Sequence, residues 1–168
     1  DSVKPEDSEV YFFPFLYGSN AHPLGKASFI GLTSYHNIAH VLRAVYEGVS
    51  FSHKRHIDKL LASRTAPEAI RMAGGPVQSR VWVQMFADVL GYPIETVDAR
   101  ELGALGCAMS AAVAAGIYKD YKDAAEHMVR ISERIYPDPD RVKIYQEKYK
   151  KYILVSNALD TVWGQFEV

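Results

Sequence analysis

Residues 69–90 of the chain read AIRMAGGPVQSRVWVQMFADVL. A short apolar run begins at Ile70 and is interrupted by Gly74, Gly75 and Pro76. A helical pattern follows, in which apolar residues recur at intervals of three and four positions: Trp82, Met85, Phe86, Val89 and Leu90. Ser79 lies at the expected N-cap of that helix, because its hydroxyl can accept a hydrogen bond from a backbone N–H of the first turn. The stretch therefore predicts a strand, a glycine turn and a helix.

A strand that passes through paired glycines into a helix is one way to bring backbone close to a bound nucleotide. Glycine has no Cβ to hold a ligand away, and a helix N-terminus offers unpaired N–H groups and a partial positive charge. The same pattern also occurs in an ordinary tight turn between a strand and a helix. Gly74, Gly75 and Ser79 are therefore candidate nucleotide contacts, with a purely structural turn as the alternative reading.

The composition is that of an ordinary globular protein, with 168 residues of which 48% are hydrophobic and 23% charged. A formal net charge of -1 offers no field that would attract nucleic acid. Cys107 is the only cysteine, which excludes an internal disulfide and fits a reducing cytosol, so we expect a cytoplasmic protein. No apolar run approaches the roughly 20 residues of a membrane span. We therefore expect neither nucleic acid nor a membrane as a partner.

The N-terminal part predicts a linker followed by two short strands. Residues 1–9 are charged, contain Ser and Pro, and have nothing to bury, so we expect a linker that precedes a domain of residues 10–168. Residues 10–16 and 27–32 read as strands, separated by a polar, glycine-containing loop. The sequence begins without Met and enters a strand almost at once, so we expect a piece of a longer protein; a processed chain would look the same.

A long helix is predicted over residues 37–61, and a further core strand over 93–97. The apolar face expected for the helix comprises Ile38, Val41, Leu42, Val45, Val49, Ile57 and Leu60. Strands and helices alternate from this point, which favours an α/β fold with right-handed parallel crossovers.

The next predicted helix is built of small residues from Gly103 to Ala115, with Gly116 as its C-terminal stop. Asp98 and Glu101 have the spacing of a capping box at its start. Small residues would let another backbone approach closely, although a simple well-packed helix explains the spacing as well. Cys107 is expected to be a small buried hydrophobe rather than a nucleophile.

The C-terminal part predicts two further helices. A short one starts at Asp120, and a long one runs from Asp140 to about Trp163, with Asp138 as its cap and Pro139 at its first position. The long helix has an expected apolar face of Val142, Tyr145, Tyr149, Tyr152, Ile153, Leu159 and Val162, and an opposite face rich in Lys and Glu. Amphipathic packing explains its tyrosines and lysines with fewer assumptions than a nucleic-acid surface.

Histidine pairs are the only pattern typical of a metal site. His36 and His40 are four residues apart, and His53 and His56 are three apart. No carboxylate or cysteine lies at a matching offset to complete a zinc site, so we expect no bound metal on these residues. A Ser-His-Asp arrangement has no support either, because no serine lies in a nucleophile-elbow context.

Residues 27–47, ASFIGLTSYHNIAHVLRAVYE, carry a far more specific pattern. They resemble the second signature of the FGGY carbohydrate kinases at every defined position: Ala27, Phe29, Gly31, Leu32, His40, Val41, Ala44, Val45, Tyr46 and Glu47. Two more blocks agree in order. The stretch GGPVQSRVWVQMFADVLGYPIE resembles the glycine-rich ATP turn of the family with its following helix and strand, and ELGALGCAMSAAVAAG resembles a later helix.

The resemblance implies an actin-like ATPase architecture, in which two ribonuclease-H-like domains face each other across a cleft. Members transfer the γ-phosphoryl group of Mg·ATP to a hydroxyl of a sugar or polyol. The match implies that this chain is the second half of the C-terminal, nucleotide-binding domain. Gly74 and Gly75 would then lie against the nucleotide and Ser79 near the adenosine, while Pro76 replaces the small residue that usually follows the glycines.

The resemblance also implies which parts of the kinase this chain does not contain. The N-terminal domain of the family, with most sugar contacts and the catalytic aspartate, has no counterpart here, so no catalytic residue is expected in this chain. The chain alone is then expected to be inactive, and its partners are the N-terminal part of the kinase, the sugar and, through exposed strand edges, a second copy in a homodimer.

The loop Tyr17-Gly18-Ser19-Asn20 is a weaker candidate substrate loop. It differs from the version common in xylulose and glycerol kinases and looks most like that of the L-xylulose/3-keto-L-gulonate kinase branch. The implied substrate is a ketopentose such as L-xylulose or a related keto-sugar acid. The alternative is a non-catalytic actin-like nucleotide-binding or sugar-sensing module, which would lack the aspartate base of the kinases.

Overall fold

The computed structural model of the chain describes residues 2–19, 22–98 and 101–166. Strands and helices follow in the order β1 (Tyr11–Phe13), β2 (Ser28–Ile30), α1 (Ile38–Leu61), β3 (Ile70–Met72), α2 (Arg80–Leu90), β4 (Ile94–Val97), α3 (Leu102–Ala114), α4 (Tyr121–Met128), β5 (Ile131–Ile135) and α5 (Pro139–Asp160). Short 3-10 helices cover Pro5–Asp7, Gly75–Gln78 and Trp163–Phe166. The predicted mixture of helices and strands is confirmed. In the described ranges, no helix has the length and apolar character needed to cross a membrane.

The chain divides into two compact units. The first contains the described residues of 1–66, Asp88–Gly91 and 137–168, and the second contains Pro67–Ala87 and Tyr92–Tyr136. The first unit holds β1, β2, α1 and α5, and the second holds β3, β4, β5, α3 and α4. Each unit has its own sheet, of two strands in the first and three in the second.

The sheet of the second unit has the order β3-β4-β5. β3 and β4 pair in parallel, with Ile70 opposite Ile94 and Met72 opposite Thr96, as predicted for a strand–helix–strand unit. β5 pairs antiparallel with β4 and was not predicted. Its five residues read ISERI, with apolar side chains only at Ile131 and Ile135, so they lack the strict alternation that would indicate a strand.

Helix α1 packs tightly against β1 in the first unit. At Gly48 an added Cβ would overlap the carbonyl oxygen of Phe12, so only glycine permits this approach. The ring of Phe13, on the neighbouring position of β1, stacks on Tyr152 of α5 with centroids 4.7 Å apart. Phe51 of α1 meets Tyr145 of α5 edge-on at 6.2 Å. Aromatic rings from one strand and two helices therefore form this core.

The apolar face predicted for α1 is wrong. Ile38, Leu42 and Leu60 are 71%, 52% and 57% exposed. The buried face is instead composed of Ala44, Glu47, Gly48, Ser50 and Phe51. Close contact between a helix and a strand requires small side chains at the point of contact, and these carry little weight in a hydrophobic pattern.

A buried lysine ties the N-terminal segment to α1 and α5. The Nζ atom of Lys148 donates to Glu47 Oε2 at 2.6 Å and to the carbonyl oxygens of Pro5 and Ser8 at 2.8 and 2.9 Å. Both side chains of the ion pair are almost fully buried. The Lys- and Glu-rich pattern of the last helix gave no sign that one of its lysines is buried.

Arg43, one turn before Glu47 in α1, completes this network. Its Nε donates to Glu47 Oε1 at 2.8 Å and its Nη2 to the Tyr145 hydroxyl at 2.7 Å, while Nη1 bonds the carbonyl oxygen of Val3. Burial, followed by the nearby Glu47 carboxylate, raises the pKa of Tyr145. Val3, Pro5 and Ser8 are themselves buried, so the expectation that residues 1–9 have nothing to bury is wrong.

Helix α5 begins as predicted. Asp138 is its N-cap, and Oδ1 accepts hydrogen bonds from the N–H groups of Asp140 and Arg141 at 3.0 and 3.2 Å. These bonds, with Arg141 contributing most, lower the pKa of Asp138. Pro139 is the first helical residue, and the helix ends at Asp160 rather than near Trp163.

Helix α3 differs from prediction at one end and along its surface. It begins at Leu102 with Glu101 at the N-cap position and no side-chain cap, so the capping box of Asp98 and Glu101 is wrong. None of its residues is buried, nothing lies within 4 Å of an added Cβ at Gly103, and Cys107 is exposed rather than buried. Among the described residues, no neighbour therefore lies close to the glycine at the start of this helix.

The C-terminal end of α3 follows the prediction. Gly116 has φ 73°, and its N–H donates to Val113 O at 3.0 Å, while the Ile117 N–H donates to Ala112 O at 2.9 Å. This pair of bonds is the Schellman arrangement that glycine favours after a helix. The short helix α4 also begins as predicted, with the Asp120 side chain accepting from the N–H of Asp123.

We expect Lys148→Met to lower the free energy of unfolding by about 3–5 kcal/mol, because it leaves the Glu47 carboxylate and two carbonyl oxygens buried without the ammonium. Urea unfolding followed by circular dichroism measures this. Lys151→Met on the same helix is the matched control: Lys151 pairs with Glu9 in solvent, so its loss should change the free energy by less than about 1 kcal/mol. Equal effects of the two variants would contradict the structural role of the buried pair.

Candidate nucleotide-binding site

An open cavity of about 310 Å³ lies at the edge of the sheet in the second unit. The parallel strands β3 and β4 both end at this edge, and the antiparallel strand β5 begins there. The cavity is lined by Gly74, Gly75, Val77, Gln78, Thr96, Val97, Asp98 and Ser132. The carboxyl ends of parallel strands are a common location of ligand sites in α/β proteins.

The glycine turn forms one wall of this cavity. Gly74 has φ 89° and ψ -162°, a conformation that essentially only glycine adopts. The chain then turns through the 3-10 helix at Gly75–Gln78, with the Val77 N–H donating to Gly74 O at 3.2 Å. Nothing lies within 4 Å of an added Cβ at either glycine. The two glycines thus avoid no clash within the protein, and they leave space on the cavity side that a ligand can approach.

Ser79 connects the turn to α2. It lies directly before the helix, and its Oγ is 3.4 Å from the N–H of Trp82, which also donates to Ser79 O at 2.9 Å. The predicted N-cap is therefore confirmed, since the helix begins at Arg80. Ser79 and Pro76 do not line the cavity, whereas Gly74 and Gly75 do.

Four polar side chains at the cavity were not predicted as site residues: Gln78, Thr96, Asp98 and Ser132. The N–H of Asp98 donates to Arg130 O at 2.9 Å, which continues the pairing of β4 with the segment before β5 and holds Asp98 at the sheet edge. Its position directly after the predicted core strand is the signal that could have identified it. Ser132 was missed because β5 itself was missed.

The described part of the cavity lining is polar. Among the described residues that line the cavity, Asp98 is the only one with a charged side chain. Charged residues in and beside the sheet form ion pairs: Arg71 of β3 with Glu95 of β4 at 3.2 Å, and Arg80 of α2 with Glu133 of β5 at 2.8 Å. Hydroxyl, amide and carboxylate groups beside open glycines suit a ligand rich in hydroxyl and amino groups, such as a nucleoside, better than they suit a polyphosphate.

The candidate substrate loop belongs to the first unit and does not line this cavity. Tyr17 is fully exposed. Gly18 has φ 78°, and an added Cβ there would meet Pro23 O at 2.5 Å, so this glycine is required by the turn. The Ser19 hydroxyl accepts from the N–H of His22 at 3.0 Å. Asn20 lies outside the described residues.

The histidines form local contacts at the start of α1. His36 Nδ1 accepts from the Thr33 N–H at 2.9 Å, and His40 Nδ1 lies 2.9 Å from Asn37 Oδ1. Across residues 2–19, 22–98 and 101–166, no group of three or more His, Cys, Asp or Glu side chains is arranged to hold a metal ion. Asp98 is a single carboxylate, which suits a Mg²⁺ ion only when phosphate oxygens and water supply its other ligands.

Comparison with known proteins identifies the relatives of the chain. Residues 2–115 match the model of the FGGY family of carbohydrate kinases, C-terminal domain. The L-xylulose/3-keto-L-gulonate kinase of Escherichia coli is 38% identical over 151 residues, which are 90% of this chain and 30% of that protein. A protein described as a probable L-xylulose kinase of Haemophilus influenzae is 37% identical over 158 residues, 94% of this chain and 32% of that protein.

Comparison with solved structures identifies the same family of folds. The ligand-bound xylulose kinase of Lactobacillus acidophilus superimposes with a TM-score of 0.89 at 27% identity, covering 99% of this chain and 34% of that one. The chain therefore spans about a third of the length of the relatives it matches.

Gly74→Ala should lower the free energy of unfolding by about 1–3 kcal/mol, because alanine is strained at φ 89°, ψ -162°. Gly75→Ala is the matched control, since Gly75 is outside the left-handed region and an added Cβ there meets open space. Urea-unfolding curves of the two variants provide the comparison. The conclusion that Gly74, and not Gly75, is required by its backbone conformation is wrong if Gly75→Ala is the more destabilising change.

Proposed function

The chain belongs to the FGGY family of carbohydrate kinases, and on that premise we propose that it is a nucleotide-binding part of an enzyme that transfers the γ-phosphoryl group of Mg·ATP to a hydroxyl of a sugar or polyol. The match is to the C-terminal domain of the family, and the fold is the ribonuclease-H-like fold of actin-like ATPases. In this proposal residues 10–168 are part of the ATP-binding domain and include its C-terminal helix, and residues 1–9 connect it to the preceding part of the protein.

The observation that carries the proposal is the cavity beside the open glycine turn. Gly74 and Gly75 present backbone to a space of about 310 Å³, and no atom of the described residues lies within 4 Å of an added Cβ at either glycine. In the proposed complex the two glycines and Pro76 lie against the nucleotide, and Ser79 lies near the adenosine at the start of α2. The hydroxyl groups of Thr96 and Ser132 and the Asp98 carboxylate line the same cavity and are available to a ribose or a purine amino group.

Phosphoryl transfer depends mainly on positioning and on electrostatic stabilisation of the transferred group. The contribution proposed for this chain is to bind and orient the nucleotide. Mg²⁺, when bound, neutralises phosphate charge and is held mainly by phosphate oxygens and water. We assign no catalytic base to this chain and propose that the aspartate which accepts the proton of the sugar hydroxyl comes from the N-terminal part of the kinase.

We propose a ketopentose such as L-xylulose, or a related keto-sugar acid, as the sugar substrate. The support is that the relatives are described as an L-xylulose/3-keto-L-gulonate kinase and a probable L-xylulose kinase, together with the loop at Tyr17, Gly18 and Ser19. Steady-state kinetics of the full-length protein with L-xylulose, 3-keto-L-gulonate and D-xylulose tests this choice. A preference for D-xylulose by kcat/KM would contradict it.

Gly75→Val tests the nucleotide site. The valine side chain would occupy the space that the nucleotide approaches, so we expect the apparent KM for ATP of the full-length kinase to rise at least about tenfold, equivalent to about 1.4 kcal/mol of binding. The KM for the sugar should change much less. The measurement is initial-rate kinetics with each substrate varied in turn.

Gly106→Val is the control for this experiment. Gly106 belongs to the same unit, also has open space at an added Cβ, and does not line the cavity. Its ATP KM should match that of the wild type. An unchanged ATP KM in Gly75→Val would show that the turn is structural and would remove the basis of the proposed site.

We also propose that this chain, on its own, forms a homodimer and binds ATP weakly. Ile38 and Leu42 of α1 and Leu154 of α5 are large, exposed apolar side chains, and exposed apolar surface favours association. Sedimentation equilibrium should therefore give a mass twice that of one chain, which is 18.8 kDa. The variant Ile38→Lys/Leu42→Lys should shift the equilibrium toward the monomer. A wild-type monomer with micromolar ATP affinity by titration calorimetry would contradict both parts.

A further inference from the structure

A small second cavity lies within the first unit, where α1 and α5 meet the loop after β1. Its volume is about 10 Å³, the space of one water molecule or one oxygen atom. We call it the α1–α5 cavity. Its polar lining consists of the side chains of Ser19, Ser52, Arg55, His56, Lys59 and Tyr152. None of these residues lines the nucleotide-binding cavity.

Tyr152 supplies a buried hydroxyl for which the described residues provide no hydrogen-bond partner. The side chain is fully buried, and its ring is fixed by stacking on Phe13 at 4.7 Å and by contact with Phe51 at 5.2 Å. Its Oη forms no hydrogen bond with any group of the described residues. Leaving a buried hydroxyl without a hydrogen bond is unfavourable. A group inside the cavity that accepts a hydrogen bond from this hydroxyl would therefore be bound favourably.

Three basic side chains surround the opening. Arg55, His56 and Lys59 all belong to α1. In the described ranges, none of them has a carboxylate oxygen within 4.0 Å, the limit for an ion pair. Other cations of α1 are paired: Arg43 with Glu47 at 2.8 Å and Lys54 with Asp58 at 2.9 Å. Among the described residues, no carboxylate therefore forms an ion pair with the basic side chains at the cavity.

Arg55 is held in place by α5. Its Nη1 donates to Ser156 Oγ at 2.9 Å, and its Nη2 lies 3.5 Å from Asn157 Oδ1. Both contacts are to neutral oxygen atoms, so they orient the guanidinium without cancelling its charge. A fixed guanidinium with free donors is the arrangement that favours recognition of phosphate oxygens.

We propose that the α1–α5 cavity binds a phosphate group. One phosphate oxygen enters the cavity and accepts hydrogen bonds from Tyr152 and Ser52, and the remaining oxygens stay at the opening, close to Arg55 and Lys59. The cavity is too small for more than one oxygen, so the group attached to the phosphorus projects into solvent. The ligand is therefore inorganic phosphate or a phosphate monoester.

Titration calorimetry of the chain with inorganic phosphate, in a chloride-free buffer of low ionic strength, is the first test. We expect saturable binding that weakens about tenfold in Tyr152→Phe, because that change removes one hydrogen bond to a charged group and retains the ring that the core requires. Lys59→Gln should weaken binding by a similar factor. Lys150→Gln, at an exposed position of α5, is the matched control and should bind like the wild type.

Backbone NMR shifts then locate the site and identify the source of the phosphate. Inorganic phosphate should move the amide signals of Ser52 to Lys59 and leave those of Gly74 to Ser79 in place, which separates this cavity from the nucleotide site. A pentose 5-phosphate is the second ligand. It should bind more tightly than inorganic phosphate if the sugar contributes to binding, and with the same affinity if the phosphate group alone is recognised.

Three results would overturn the proposal: no saturable binding to the wild type, binding that Tyr152→Phe and Lys59→Gln leave unchanged, or shifts confined to the glycine turn. The first of these would mean that the cavity accommodates only water. The outcome is independent of the proposed nucleotide site, because the Gly75→Val kinetics concern other residues.

Discussion

The first unit depends on the burial of one ammonium group. Lys148 is taken out of water with its charge, which is unfavourable unless every N–H finds an acceptor and the charge is balanced. Glu47 balances the charge, and the carbonyl oxygens of Pro5 and Ser8 complete the hydrogen bonds. No single element supplies all of these groups, so α1, α5 and the N-terminal segment satisfy the lysine only when they are assembled together.

The second unit separates the residues that shape the site from those available to a ligand. Gly74 is required by its backbone conformation, and Ser79 by the start of α2. Gly75 has neither constraint, and it borders the cavity with open space beside it. Parallel pairing of β3 with β4 then brings this turn and the end of β4, at Asp98, to the same edge.

Prediction from the sequence succeeded where the signal is local. The N-caps at Ser79, Asp120 and Asp138 and the helix stop at Gly116 are all present, because each rests on hydrogen bonds between residues a few positions apart. The capping box at Asp98 failed for a tertiary reason. The N–H of this residue pairs with Arg130 across the sheet instead of opening α3.

The sequence by itself determined the family, through the ordered motifs around Gly31 and Gly75, and the type and approximate limits of most elements. Only the tertiary structure decided which face of α1 is buried, because close contact of Gly48 with Phe12 outweighs a wider stripe of larger apolar residues. It also decided the third strand of the second sheet and the burial of Lys148. Each of these features depends on a contact between residues that are distant in sequence. Such a contact cannot be predicted from the local pattern of residues around either partner.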